Sequence, residues 1–162
     1  MDQKSHEILL IDDNLFDVEL ILITLKNHGI VNDILILNNG EDALNYIFCK
    51  KKYAKRDFND KPRIIILDNK LPKYNGLEVL KKIKNDPKTK RIPIVMLSSS
   101  KEEKDILESY KLGVNSYIVK PIDFNEFTET IYYIGYYWFV LNKTWWSINL
   151  SWYKYYADWC WL

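Results

Sequence analysis

Pro62-Arg63-Ile64-Ile65-Ile66-Leu67-Asp68-Asn69-Lys70-Leu71-Pro72 decides the fold. Ile64 to Leu67 is a continuous apolar run, mostly β-branched, with no polar face to turn toward water. Such a run suits a strand covered on both faces of a parallel sheet. It ends in a carboxylate, and Pro72 and Asn75-Gly76 turn the chain soon after. Asp68 therefore stands at the strand's carboxyl end, the edge where open α/β sheets bind ligands. Taken alone, an acidic residue there is most simply a solvated strand terminus. Its weight comes from the other strand ends.

Toward the N-terminus, Glu7-Ile8-Leu9-Leu10-Ile11 is a second buried-strand pattern, ending in Asp12-Asp13-Asn14. Asp or Asn caps a helix there, and Asp17 and Glu19 suit its first turn. Leu15, Val18, Leu22 and Leu25 share one helical face, and Gly29 closes the helix. Ile34 to Leu37 is a third strand, and Asn38-Asn39-Gly40 is a turn. A helix from Glu41 to Phe48 follows, with Ala43, Leu44 and Ile47 inward. Beyond the opening stretch, Gly76 to Lys84 reads as a helix with Leu77, Leu80 and Ile83 inward, ended by Asp86-Pro87. Pro93 to Leu97 is a strand running into Ser98-Ser99-Ser100. Ser100 is expected to cap a helix from Lys101 to Leu112, with Glu103 at the capping-box position and Gly113 as the stop. Ser116 to Val119 is the last strand, ended by Lys120-Pro121, and Asp123 caps a helix from Phe124 to about Leu141. Strand and helix alternate five times, which predicts a parallel α/β sheet with helices on both faces and right-handed crossovers. Cys49 to Lys61, rich in lysine and arginine, departs from this rhythm and reads as a solvated helix end and loop rather than a basic docking site.

The 162 residues suit one domain with a sizeable core. A net charge of +1 gives no reason to expect nucleic acid or an anionic membrane as partner. Cys49 and Cys160 fit a reducing compartment and form no metal motif. The polar stretch Met1 to Glu7 carries no signal-peptide pattern, and no apolar run is long enough for a spanning helix. A cytoplasmic protein is the expectation.

Four strands end in reactive side chains: Asp12 and Asp13, Asp68, Ser98, and Lys120. A parallel sheet brings these ends to one edge. Crowded carboxylates there repel one another unless a cation intervenes. Oxygen-only ligands of this kind favour Mg²⁺, which completes its shell with water and phosphate oxygens. A carboxylate beside such an ion can attack a phosphoryl group and form an aspartyl phosphate. Lys120 would give a fixed positive charge for the transferred oxygens, and Ser98 a hydroxyl donor. Singly, Lys120 reads as a surface ion pair and Ser98 as a lead-in to a helix. Their joint appearance at successive strand ends is what points to chemistry.

Over roughly residues 5–141 the chain resembles the receiver domain of two-component response regulators. The matching motifs are Ile8-Leu9-Leu10-Ile11-Asp12-Asp13-Asn14; Ile64 to Pro72 with Gly76-Leu77-Glu78; Ile92 to Ser98; and Tyr117-Ile118-Val119-Lys120-Pro121. The longer segment before the Asp68 strand, with Asp123-Phe124, is similar to the stand-alone subfamily that includes phytochrome-associated regulators. The resemblance implies a flavodoxin-like doubly wound (βα)5 fold with strand order 2-1-3-4-5. It implies Asp68 as phosphoacceptor, and Mg²⁺ held by Asp12, Asp13, Asp68 and the backbone carbonyl of Lys70. It further implies Ser98 as switch hydroxyl, Tyr117 as switch aromatic and Lys120 as the phosphoryl's cationic partner, behind a cis Lys120–Pro121 bond. Lys70 and Ser99 would tune acyl-phosphate lifetime. A sensor histidine kinase or phosphotransfer protein would donate the phosphoryl group. Output would be a protein interface on the fourth helix, last strand and fifth helix, plausible also for a homodimer. The protein would not itself be an enzyme.

Two rivals differ in class. A metal-dependent phosphohydrolase with an aspartyl-phosphate intermediate needs a general acid two residues past the nucleophile, where Lys70 stands. A phosphorylation-independent scaffold would not need Asp12, Asp13, Asp68, Ser98 and Lys120 together. Residues 142–162 form no separate domain and crowd Trp145, Trp146, Trp152, Tyr153, Tyr155, Tyr156, Trp159 and Trp161. That tail packs on the domain or across a dimer, rests on a membrane surface, or is an appended, unfolded sequence.

Overall fold

In a computed structural model, which describes residues 6–30 and 33–142, the alternation is realised in full. The elements are β1 (Ile8–Ile11), α1 (Leu15–Asn27), β2 (Ile34–Leu37), α2 (Gly40–Ile47), β3 (Ile64–Leu67), α3 (Gly76–Asn85), β4 (Ile94–Ser98), α4 (Glu103–Lys111), β5 (Ser116–Val119) and α5 (Phe124–Tyr136). All strand pairs are parallel, in the order β2-β1-β3-β4-β5. The Trp- and Tyr-rich stretch from 143 onward lies outside the described residues, so the three readings of it stand as they were.

The runs lack polar alternation because both sheet faces are covered. Leu9, Ile11, Ile65, Leu67, Ile94 and Met96 pack with α2 and α3 residues such as Ala43, Ile47, Leu80 and Ile83. Ile8, Leu10, Ile64, Ile66, Val95 and Leu97 pack with Val18 and Ile21 of α1 and Phe127, Ile131 and Ile134 of α5. Each such side chain, removed from water, contributes about 2 kcal/mol.

The caps follow local chemistry. Asn14 Oδ1 accepts from the amides of Phe16 and Asp17, Asn75 and Glu78 form a capping box, and Asp123 accepts from Asn125 and Glu126. Gly76 lets α3 start hard against the Asp68 loop, since a Cβ there would lie 2.4 Å from the Asp68 carbonyl oxygen.

Several local expectations are corrected. The inward stripe of α1 is Val18, Ile21, Thr24 and Leu25, itself spaced for a helical face, and Leu15 at the first position is 76% exposed. α4 begins at Glu103, not Lys101, because Ser100 Oγ is engaged before the helix starts. It accepts from the Glu102 amide and donates to Asp105 Oδ2, closing a turn. α5 passes at Tyr137 into a wider π-turn through Leu141. The basic insert is not uniformly solvated. Lys50, Lys51, Lys52 and Lys55 are exposed. Arg56, by contrast, is buried, lies 3.7 Å over the Tyr46 ring and donates to the carbonyls of Tyr46 and Asp60. It clamps the insert to α2.

At the sheet's amino edge, Lys84 of α3 donates to the carbonyls of Lys90 and Ile92 and to Asn115 Oδ1. Asn115 Oδ1 also accepts from the Ile94 amide. One lysine thus ties α3 to the starts of β4 and β5.

Candidate functional site

Register builds the site. Ile11 of β1 stands level with Leu67 of β3, so the next residues, Asp12 and Asp68, emerge side by side. The hydrogen-bond ladder continues into them: the Asp68 amide donates to the Ile11 carbonyl, and the Asp12 amide to the Leu37 carbonyl. On the far side Ser98 stands level with Val119, and the Lys120 amide donates to the Ser98 carbonyl. The backbones of Asp12, Asp68, Ser98 and Lys120 are thereby fixed by the sheet.

The side chains meet. Lys120 Nζ lies 2.7 Å from Asp12 Oδ2, 2.9 Å from Asp68 Oδ1 and 2.8 Å from Asp17 Oδ2. Carboxylate oxygens of Asp12, Asp13 and Asp68 fall within 4.8 Å of one another. Asp12 Oδ1 accepts from the Asn14 amide, and Asp68 Oδ2 from the Lys70 amide. Burial pulls the Lys120 ammonium toward neutrality, yet its hydrogen bonds to Asp12, Asp17 and Asp68 outweigh burial and raise its pKa above the ordinary lysine value. Burial raises the Asp12 pKa even against the opposing pull of Lys120. Ser98 is fully buried, and its Oγ accepts from the Ser100 amide. Tyr117 is half-buried against the α2–α3 core, and its hydroxyl donates to the Ser100 carbonyl. The ring and the serine thus both hold the loop that follows β4.

Asp12, Asp13, Asp68 and Lys120 meet at this edge and Ser98 ends the strand beside them, whereas Tyr117 stands further back in β5, level with Met96, and reaches the edge only through its hydroxyl. One participant was missed: Asp17, read as a first-turn residue, is a direct partner of Lys120. The signal was its place three residues past the Asn14 cap, where the first turn of α1 faces back over the sheet edge. Lys120–Pro121 is trans, not cis. Trans is the intrinsically favoured isomer before proline, and the ammonium reaches all three carboxylates from it.

The donor set is hard oxygen with excess negative charge, which suits a divalent cation of the Mg²⁺, Mn²⁺ or Ca²⁺ class. A parallel sheet of this order thus gathers buried carboxylates, a lysine and a serine on one edge. The chain belongs to the response regulator receiver domain family, whose model matches residues 8–132.

It is 35% identical over 131 residues to the response regulator Rcp1 of Synechocystis sp., covering 81% of this chain and 87% of that protein. Its structure is similar to that of the phosphorylated cyanobacterial phytochrome response regulator RcpA, with a TM-score of 0.79 and 36% identity over 86% of this chain and 98% of the other. It is also similar to the Mn²⁺-bound form of Rcp1, with a TM-score of 0.80 and 33% identity over 85% and 97% of the two chains. The chain is therefore a response regulator of two-component signalling. Among the described residues no helix is long and apolar enough to cross a membrane.

Proposed function

We propose that residues 5–141 form a receiver that takes a phosphoryl group on Asp68 from a sensor histidine kinase or phosphotransfer protein in the cytoplasm. The observation that carries this is the Lys120 ammonium held between Asp12 and Asp68 at the carboxyl edge. Asp68 Oδ1 is the attacking atom. The donor's P–N bond breaks as the Asp68 O–P bond forms, and the departing histidine nitrogen takes up a proton. Lys120 then meets the phosphoryl oxygens, and the Ser98 hydroxyl donates to one of them. Asp12, Asp13, Asp68 and the Lys70 carbonyl would hold Mg²⁺, which would offset the charge of the incoming oxygens. Lys70, whose amide donates to Asp68 Oδ2, and Ser99, which follows Ser98, would set how readily water reaches the acceptor.

Ser98 and Tyr117 relay the change. Both are bonded to Ser100, so a Ser98 drawn toward a phosphoryl group disturbs the loop that Tyr117 also grips. The surface of α4, β5 and α5 carries the output and is the proposed homodimer face, with Leu107, Tyr110, Tyr133 and Tyr136 exposed along its helices. Phe16 and Ile122, 83% and 95% exposed beside the site, are suited to meet the phosphodonor's apolar surface. Likeness to a cyanobacterial phytochrome response regulator favours a phytochrome-type sensor as that donor. The protein acts as a phosphoacceptor, not as an enzyme with a free substrate. The phosphohydrolase reading is disfavoured by Lys70, which supplies no proton-donating carboxyl two residues past Asp68.

Incubation with an acyl-phosphate donor and Mg²⁺ tests the assignment. Wild type should gain one phosphoryl group by mass, and Asp68→Asn none. Equal labelling would remove Asp68 from the role.

A further inference from the structure

Lys120 donates hydrogen bonds to Asp12 and Asp17 and pairs with Asp68 Oδ1 at 2.9 Å, so carboxylate oxygens surround its ammonium. Phosphorylation makes Asp68 Oδ1 the ester oxygen, with the phosphoryl oxygens standing beyond it, so the ammonium meets them by shifting outward and loosening Asp12 or Asp17. Asp12 belongs to the carboxylate cluster that suits a cation, and its side chain is only 3% exposed. Asp68 is the proposed acceptor, with its side chain 6% exposed. Asp17 belongs to neither group, and at 23% exposure it reaches solvent most readily. Of Asp12 and Asp17, releasing Asp17 leaves a carboxylate that water can hydrate, whereas releasing Asp12 leaves a buried charge unpaired.

We infer that Asp17 is a positioning residue that holds the Lys120 ammonium in the unphosphorylated protein and is the partner it gives up when a phosphoryl group arrives. This rests on the phosphoacceptor reading and adds a consequence to it. Asp17 lies in the first turn of α1, one residue from the exposed Phe16. The Lys120–Asp17 bond is thus a strap from the end of β5 to α1. Its release frees that turn, so α1 as well as the α4–β5–α5 surface reports the state of Asp68.

The strap also competes with the phosphoryl group, which makes it measurable. Beryllofluoride, a phosphoryl mimic, is titrated with Mg²⁺ into the full chain by calorimetry. Asp17→Asn keeps the shape but loses the charge. It should bind the mimic about fivefold tighter, the scale of a partly exposed ion pair. Asp17→Glu should stay near wild type, and Mg²⁺ alone should bind Asp17→Asn no more tightly than wild type. In wild type, the mimic should speed amide hydrogen exchange at residues 16–18, and in Asp17→Asn that exchange should already be fast. Unchanged or weaker mimic binding by Asp17→Asn overturns the strap, as does a matching gain in Mg²⁺ affinity. Should Asp17→Asn fold poorly, Asp17→Ser carries the same expectation. If wild type itself binds no mimic, the phosphoacceptor reading falls and takes the strap with it. If wild type binds and Asp17→Asn behaves identically, only the strap is lost.

Discussion

Lys120 and Lys84 are the same side chain at opposite edges of one sheet. Each makes three contacts, and the two are shifted in opposite directions. Lys120, at the carboxyl edge, faces three carboxylates, and its pKa rises above the ordinary value despite burial. Lys84, at the amino edge, faces two backbone carbonyls and an amide oxygen, and burial pushes it down to about 8. A lysine among neutral oxygens ties elements together. A lysine among like-charged acids holds in check a repulsion that a cation or a phosphoryl group can reorganise. What surrounds the amine, not its depth, separates structure from signalling.

The sharpest way to break this contrast is to remove each amine with and without Mg²⁺. Lys120→Met leaves Asp12, Asp17 and Asp68 facing one another and should cost about 3 kcal/mol of unfolding free energy in urea. Added Mg²⁺ should recover much of that, since the ion replaces the lost positive charge. Lys84→Met should cost about 1 kcal/mol, through carbonyls left without donors, and Mg²⁺ should not change it. Rescue of both variants, or of neither, would erase the distinction.

pH sharpens it further. Lys84 has a folded pKa below its unfolded value, so between about 8 and 10.5 the unfolded chain binds more protons, and stability contributed by this group rises with pH. Lys120 has the opposite sign: its contribution is complete below the unfolded lysine value and fades only above it. Urea midpoints from pH 7.5 to 10 should therefore climb more steeply in wild type than in Lys84→Met. The smallest effect is expected from a third arrangement. Glu41 is held down to about 2 by hydrogen bonds from Lys51 and Lys73, yet both lysines are largely exposed. Glu41→Ala should leave the urea midpoint within error, because exposed pairs are screened and flexible.

Much of the fold was legible because buried parallel strands carry an unmistakable pattern. Ile64 to Leu67 and Ile8 to Ile11 are apolar throughout, and their covered faces appear in the structure as two core layers. The carboxylates were legible because they terminate those runs. Asp17, Lys84 and Arg56 were not. Each sits where a charged residue is ordinarily solvated, in a first turn, on a helix flank and in a basic loop. Only a partner outside its own element changes its meaning: Lys120 for Asp17, Asn115 for Lys84, Tyr46 for Arg56. Ser100 misled for a related reason, since its hydroxyl was taken by Asp105.

By itself the amino-acid sequence settled the alternation of strands and helices and which residues close the strands, because burial on two faces and abrupt turn chemistry are local properties of the chain. Tertiary structure alone decided which of the many acids share Lys120. Strand register sets Asp12 beside Asp68, and the packing of α1 over the sheet edge adds Asp17. Such distances arise between residues a hundred positions apart, where no local pattern records them.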